Sequence, residues 1–236
     1  MRSRKIVAMG GGGFSMDRDN RLLDDFVLSL TETDGKPRVC FLPTASGDAD
    51  AYVEKFLDAF PTDRADASVL HLFRREHLDL RALLLDQDVI YVGGGNTLSL
   101  LAVWRTHGLV EVLREAYDAG VVLAGLSAGM NCWFEASVTD SWTTEELRAL
   151  DDGLGFLAGS ACPHYDGEPQ RRPTYLRLIS EGFPAGYAVQ DCCALYFQDE
   201  RLSAAVASTP DAGAFRVENT PGGPVETAIP VTYLGA

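Results

Sequence analysis

The sequence predicts an α/β fold of three layers: a mostly parallel sheet with helices on both faces, and an antiparallel β extension near the C-terminus. Three observations predict it. Short β-rich apolar runs alternate with helix-like stretches through the first 130 residues. Three of those runs end in glycine-rich turns. From about residue 185 the helical texture gives way to short strands joined by tight turns.

The strand candidates are KIVAMG (5–10), RVCFLP (38–43), SVLHLF (68–73), DVIYVG (88–93) and VVLAGL (121–126). Between them, residues 21–30, 51–60, 78–85 and 98–107 carry apolar side chains three and four apart, the spacing of a helix with one buried stripe. A helix between successive strands gives the chain the length it needs to return and pair in parallel. YAVQDCCALYF, LSAAVAS, GAFRVEN and IPVTYLG leave no room for helices and are expected at the sheet edge in antiparallel pairing. With 236 residues, 46% hydrophobic content and no Pro/Ser-rich linker, the chain reads as one domain over 1–236.

Composition excludes several classes of function. Formal net charge is −14, from 34 acidic and 20 basic residues, which disfavours nucleic-acid and anionic-membrane surfaces. No apolar run is long enough to span a bilayer, and the brief run after the first basic residues makes a poor signal peptide. The five cysteines, Cys40, Cys132, Cys162, Cys192 and Cys193, are odd in number and lack C-x-x-C spacing. They read as reduced, mostly buried thiols of a cytoplasmic protein. No H-E-x-x-H or clustered Cys/His set suggests a metal, and no cofactor is expected.

In open α/β sheets the site lies at the carboxyl ends of the strands. The unusual ends here are GGGG (10–13), GGGNT (93–97) and GLSAG (125–129). Gly-x-Ser-x-Gly between a strand and a helix is the nucleophile-elbow pattern: the turn is so sharp that the flanking positions tolerate little side chain, and the Ser127 hydroxyl is presented at the helix start. The Ala128 amide is then placed to donate to an oxyanion. The competing reading is a helix N-cap serine. GGGNT lacks the Lys-Ser/Thr of a phosphate loop and GGGGFS lacks the last glycine of G-x-G-x-x-G. Gly94 or Gly95 is therefore proposed as a second oxyanion donor, with Asn96 able to cap the next helix or contact substrate.

A serine nucleophile needs a base. Of four histidines, His71 falls in an expected strand, His77 at a helix start and His107 at a helix end. His164, among loop residues in SACPHYDGEPQRRP, is the choice.

GGGNT, GLSAG and PHYD in this order resemble the peptidase E (aspartyl dipeptidase) and cyanophycinase family of serine peptidases, over about residues 5–200. The resemblance implies a class I glutamine-amidotransferase-like α/β fold, Ser127 as nucleophile, His164 as base, and Gly94, Gly95 and Ala128 as the oxyanion region. Peptidase E cleaves dipeptides with an N-terminal aspartate, and cyanophycinase a β-linked Asp-Arg polymer. An aspartate between serine and histidine completes the triad in peptidase E, which points to Asp140 in VTDS; other members use a glutamate. Asp191, at another strand end, and Glu135, about two helical turns past the serine, are the alternatives. Arg171 and Arg172 follow His164 and could grip a carboxylate, as an arginine of this region does in peptidase E. The spacing from histidine to arginine and the stretch GMNCWFEASVTDSW depart from the peptidase E pattern.

The expectation is a Ser-His-acid hydrolase of small peptides, with a peptide substrate, no nucleic-acid or membrane partner, and room for a homodimer. An esterase or amidase on a non-peptide substrate is the alternative within enzymes; a ligand-binding relative without turnover is the alternative outside them.

Overall fold

The computed structural model describes residues 3–75, 77–143 and 146–236. Its larger sheet has eight strands. Five are parallel neighbours in the order β1 (Lys5–Met9), β5 (Val122–Leu126), β4 (Val89–Val92), β2 (Arg38–Leu42) and β3 (Asp66–Val69). On the other side of β1 lie β10 (Cys193–Gln198), antiparallel to β1, then β11 (Arg201–Ala207), antiparallel to β10, and then β14 (Thr232–Tyr233), parallel to β11. This is the expected mostly parallel sheet with an antiparallel extension.

Alternation along the strands builds two cores. Ile6, Ala8, Cys40, Leu42, Ile90, Val92 and Leu123 face α3 (Leu80–Leu85), α4 (Thr97–Thr106), α5 (Leu109–Asp118) and the one-turn α6 (Ala128–Asn131). Val7, Met9, Val39, Phe41, Val89, Tyr91 and Ala124 face α1 (Leu22–Ser29) and α2 (Asp50–Ala59). Because these strands are buried on both faces, they read in sequence as continuous apolar runs.

A second, six-stranded sheet goes beyond what the sequence predicts. It runs β13 (Gly223–Ile229), β12 (Ala214–Thr220), β9 (Gly186–Val189), β8 (Leu157–Cys162), β6 (Phe134–Thr139), β7 (Arg148–Leu150). One face gives Phe134, Leu157, Ala161 and Val189 to the first core. The other is covered by α7 (Arg171–Ser180), through Val138, Cys162, Tyr175, Ile179 and Val217. The C-terminal strands are therefore divided between two sheets rather than gathered at one edge. The histidine-bearing run SVLHLF also differs from expectation: β3 ends at Val69 and His71 lies in the loop that follows, just before a turn. Among the described residues no helix is long and apolar enough to cross a membrane.

Candidate active site

Three chain segments meet at the carboxyl end of β1. Ser127 follows β5, and its amide donates to Met9 O at 3.0 Å. His164 follows β8, and its amide donates to Gly10 O at 3.3 Å. Asp191 lies between β9 of the second sheet and β10 of the first, and the adjacent Cys192 amide donates to Gly11 O at 3.0 Å.

The side chains then form one line. The Ser127 Oγ is 2.8 Å from His164 Nε2, and His164 Nδ1 is 2.6 Å from Asp191 Oδ1. A carboxylate only accepts, so Nδ1 carries the proton and Nε2 is left to accept from the hydroxyl. Imidazole and carboxylate are about one-fifth exposed, so water screens the pair only in part.

The backbone is unusual at the same places. Ser127 has φ 54° and His164 φ 52°, and Cys192, next to Asp191, has φ 63°. Side chains other than glycine seldom occupy this left-handed region, and residues held there cluster at functional sites. Around Ser127 glycine is obligatory. A Cβ on Gly125 would lie 2.2 Å from Gly129 O, and one on Gly129 would lie 2.4 Å from Val92 O. The strand, the turn and α6 are packed backbone against backbone, which answers why GLSAG has so little side chain.

The family model for Peptidase family S51 matches residues 6–205. The chain belongs to peptidase family S51. The uncharacterized peptidase YgaJ of Bacillus subtilis (strain 168) is 49% identical over 233 residues, covering 98% of this chain and 100% of the relative. Peptidase E of Shewanella amazonensis is 29% identical over 166 residues, covering 65% and 67% of the two chains. Among solved structures, a peptidase from an acI-B1 actinobacterium superposes with a TM-score of 0.73 at 18% identity, over 98% of this chain and 96% of the other, a likeness of fold.

In this S51 peptidase several expected site residues have other positions. Asp140 does not meet His164: its ionic neighbour is Arg171, at 4.0 Å, and Asp191 occupies Nδ1. Glu135 is not two helical turns beyond the serine, because α6 ends at Asn131 and Phe134 opens β6. Its carboxylate accepts the Gly159 amide at 2.8 Å, within the second sheet. Arg171 is buried, bound to Glu168 at 2.6 Å and to Val138 O at 3.0 Å. Arg172 holds Glu226 at 2.7 Å. Asn96 caps α4, accepting from the Ser99 amide at 2.9 Å, and its amide group donates to Ser141 O at 2.8 Å. Both of its polar ends are committed within the fold.

GGGNT does lie against the serine: a Cβ on Gly94 would be 3.3 Å from Ser127 Cβ. The Gly94 amide, however, donates to the Tyr52 phenol oxygen at 3.1 Å. The Ala128 amide opens α6, where no intrahelical acceptor exists for it.

Sequence reasoning passes over the role of GGGG (10–13). A Cβ on Gly11 would sit 2.1 Å from Asp191 Oδ1 and 3.0 Å from His164 Cε1, and one on Gly10 would sit 2.4 Å from Val189 O. Gly11 leaves the space that the histidine and its acid fill, and Gly10 lets the backbone that carries Asp191 come close. The signal is present as an unexplained glycine run at a strand end, without a partner to give it meaning. Asp166 also escapes sequence reasoning; it accepts the Asp191 amide at 3.1 Å and steadies that loop.

Proposed function

We propose that this S51 peptidase is a serine-type enzyme that hydrolyses small peptides through an acyl-enzyme. The observation that carries the reading is the continuous line Ser127–His164–Asp191 at 2.8 and 2.6 Å. His164 Nε2 takes the Ser127 proton while Oγ bonds to the peptide carbonyl carbon. The oxyanion is received by the amides of Ala128 and Gly95, the Gly94 amide being held by Tyr52. The C–N bond then breaks, and the imidazolium gives its proton to the leaving amine. Water, deprotonated by His164, attacks the ester; the acid product leaves and the hydroxyl is restored. Asp191 stays ionised throughout, fixing the tautomer and stabilising the imidazolium.

The substrate in this reading is a dipeptide with an N-terminal aspartate, supported by the resemblance to peptidase E. A glutamine-amidotransferase-like class for the α/β fold and a cytoplasmic location belong to the same proposal. An organophosphonate should label Ser127 and inactivate the enzyme, and Ser127→Ala should abolish labelling and lower kcat on Asp-Leu by on the order of 10⁴-fold or more. Cleavage of aryl esters but of no dipeptide would replace the peptidase reading with the esterase one. A folded protein whose Ser127 stays unlabelled would favour a binding protein.

A further inference from the structure

A chain of net charge −14 repels an anionic substrate unless a cation waits near the reacting atoms. Neither arginine that follows His164 is free to act as that cation, since Arg171 is buried against Glu168 and Arg172 is paired with Glu226. On the side of the glycine run, the turn Gly13–Ser15 and α2 enclose a cavity of about 150 Å³. It is lined by Phe14, Ser15, Met16, Arg18, Lys55 and Asp58.

Two of these walls adjoin the catalytic line. The Ser15 hydroxyl bonds the Tyr52 phenol, which in turn holds the Gly94 amide beside Ser127. Met16 Sδ accepts the Gly12 amide at 2.9 Å. It also lies 2.9 Å from the point a Gly11 Cβ would occupy, which is 3.0 Å from His164 Cε1. Lys55 stands three residues after Tyr52 in α2, so the two share a face of the helix. The charges of the cavity do not cancel. Arg18 and Asp58 neutralise each other at 2.9 Å, whereas Lys55 has no carboxylate within 4.0 Å among the described residues. One ammonium is thereby left for an incoming acceptor, the Ser15 hydroxyl being engaged with Tyr52.

We propose that Lys55 binds a carboxylate of the substrate in this cavity and so sets a preference for acidic peptides. The proposal rests on the reading of Ser127 as nucleophile but makes a separate claim about recognition. The carboxylate is either the side chain of the first residue or the C-terminus of a dipeptide, both within the few ångströms that one extended residue spans.

Binding is measured first, by calorimetry on Ser127→Ala with L-aspartate and its neutral isostere L-asparagine. Aspartate should bind about tenfold tighter, the worth of one charge-assisted hydrogen bond. Lys55→Met should remove that difference, and Lys55→Arg should keep most of it. Hydrolysis of Asp-Leu, Asn-Leu and Asp-Leu-amide then identifies the source. A drop of about tenfold in the Asp-Leu to Asn-Leu ratio of kcat/KM in Lys55→Met assigns the side chain. The same drop in the Asp-Leu to Asp-Leu-amide ratio assigns the C-terminus. Equal binding of the two amino acids by Ser127→Ala, or ratios unchanged in a Lys55→Met variant of wild-type melting temperature, would overturn the proposal. Failure of Ser127 to react with an organophosphonate would strike the nucleophile reading alone, because the binding comparison does not depend on turnover.

Discussion

Asp191 and Asp140 are the same chemical group in different company. Asp191 touches the imidazole at 2.6 Å, while Asp140 stands nearly half exposed with a buried guanidinium 4.0 Å away. Replacing Asp191 with Asn keeps the shape but removes the acceptor that selects the Nδ1–H tautomer. Asp191→Asn should therefore lower kcat by on the order of 10³- to 10⁴-fold with KM little changed, while Asp140→Asn stays within a few fold. Steady-state kinetics on a hydrolysed dipeptide would check both, and the reverse ranking would return Asp140 to the triad. Ser127 and His164 are legible in the sequence because glycines mark the serine and four histidines make elimination short. Asp191 is there only one of three acids, because it reaches the imidazole through a sheet crossing that no local pattern encodes.

At the scale of elements, the turn Gly13–Ser15 rests on a buried carboxylate. Asp24, in α1, accepts the Tyr91 hydroxyl at 2.9 Å and is also bound by the Phe14 amide. Burial pushes its pKa up to about 6, against smaller lowering effects of Tyr91, Arg64 and the Phe14 amide; Asp25 adds a further push upward. The sign follows. Between about pH 4 and 6 the folded chain holds this proton and the unfolded chain does not, so stability falls as pH rises and levels off above about 6. Denaturant melts should show wild type losing about 3 kcal/mol relative to Asp24→Asn across that window, near 1.4 kcal/mol for each unit of displacement. A difference that is flat with pH would mean the carboxyl is not held neutral. Element boundaries divide by how local their causes are. The first four expected helices appear within a few residues of their predicted places, because each shows an apolar stripe. Residues 134–139 follow the serine closely enough to suggest a continuing helix. The structure instead ends α6 after one turn and extends FEASVT beside β8. The aromatic and β-branched residues there suit a strand, but only the distant partner strands decide the matter.

At the scale of the whole molecule, the three catalytic candidates belong to different parts of the architecture. Ser127 leaves the eight-stranded sheet, His164 leaves the six-stranded sheet, and Asp191 sits on the chain passing from one to the other. The alignment of hydroxyl and imidazole is thus set by how the two sheets pack. Phe197 of β10 is central to that packing: its ring meets Tyr187 of β9 at 5.4 Å and Phe134 of β6 at 5.9 Å between centroids. Leu84 of α3 is equally buried in the same core, but on a helix that packs against α5 and not between the sheets. Phe197→Ala and Leu84→Ala should each cost about 2–5 kcal/mol of stability, measured by denaturant unfolding. Their effects on turnover should separate. A displacement of about 1 Å between reacting groups can cost on the order of 10²-fold, so Phe197→Ala should lower kcat of the folded enzyme by at least about tenfold, while Leu84→Ala keeps kcat near wild type. Equal kcat in the two variants at low temperature, where both are folded, would show that the loops after β1 hold the site without help from the packing between sheets. Those loops have the means to contribute, since Met9, Gly10 and Gly11 bond all three catalytic segments, and the pair of variants measures how much of the alignment each source supplies.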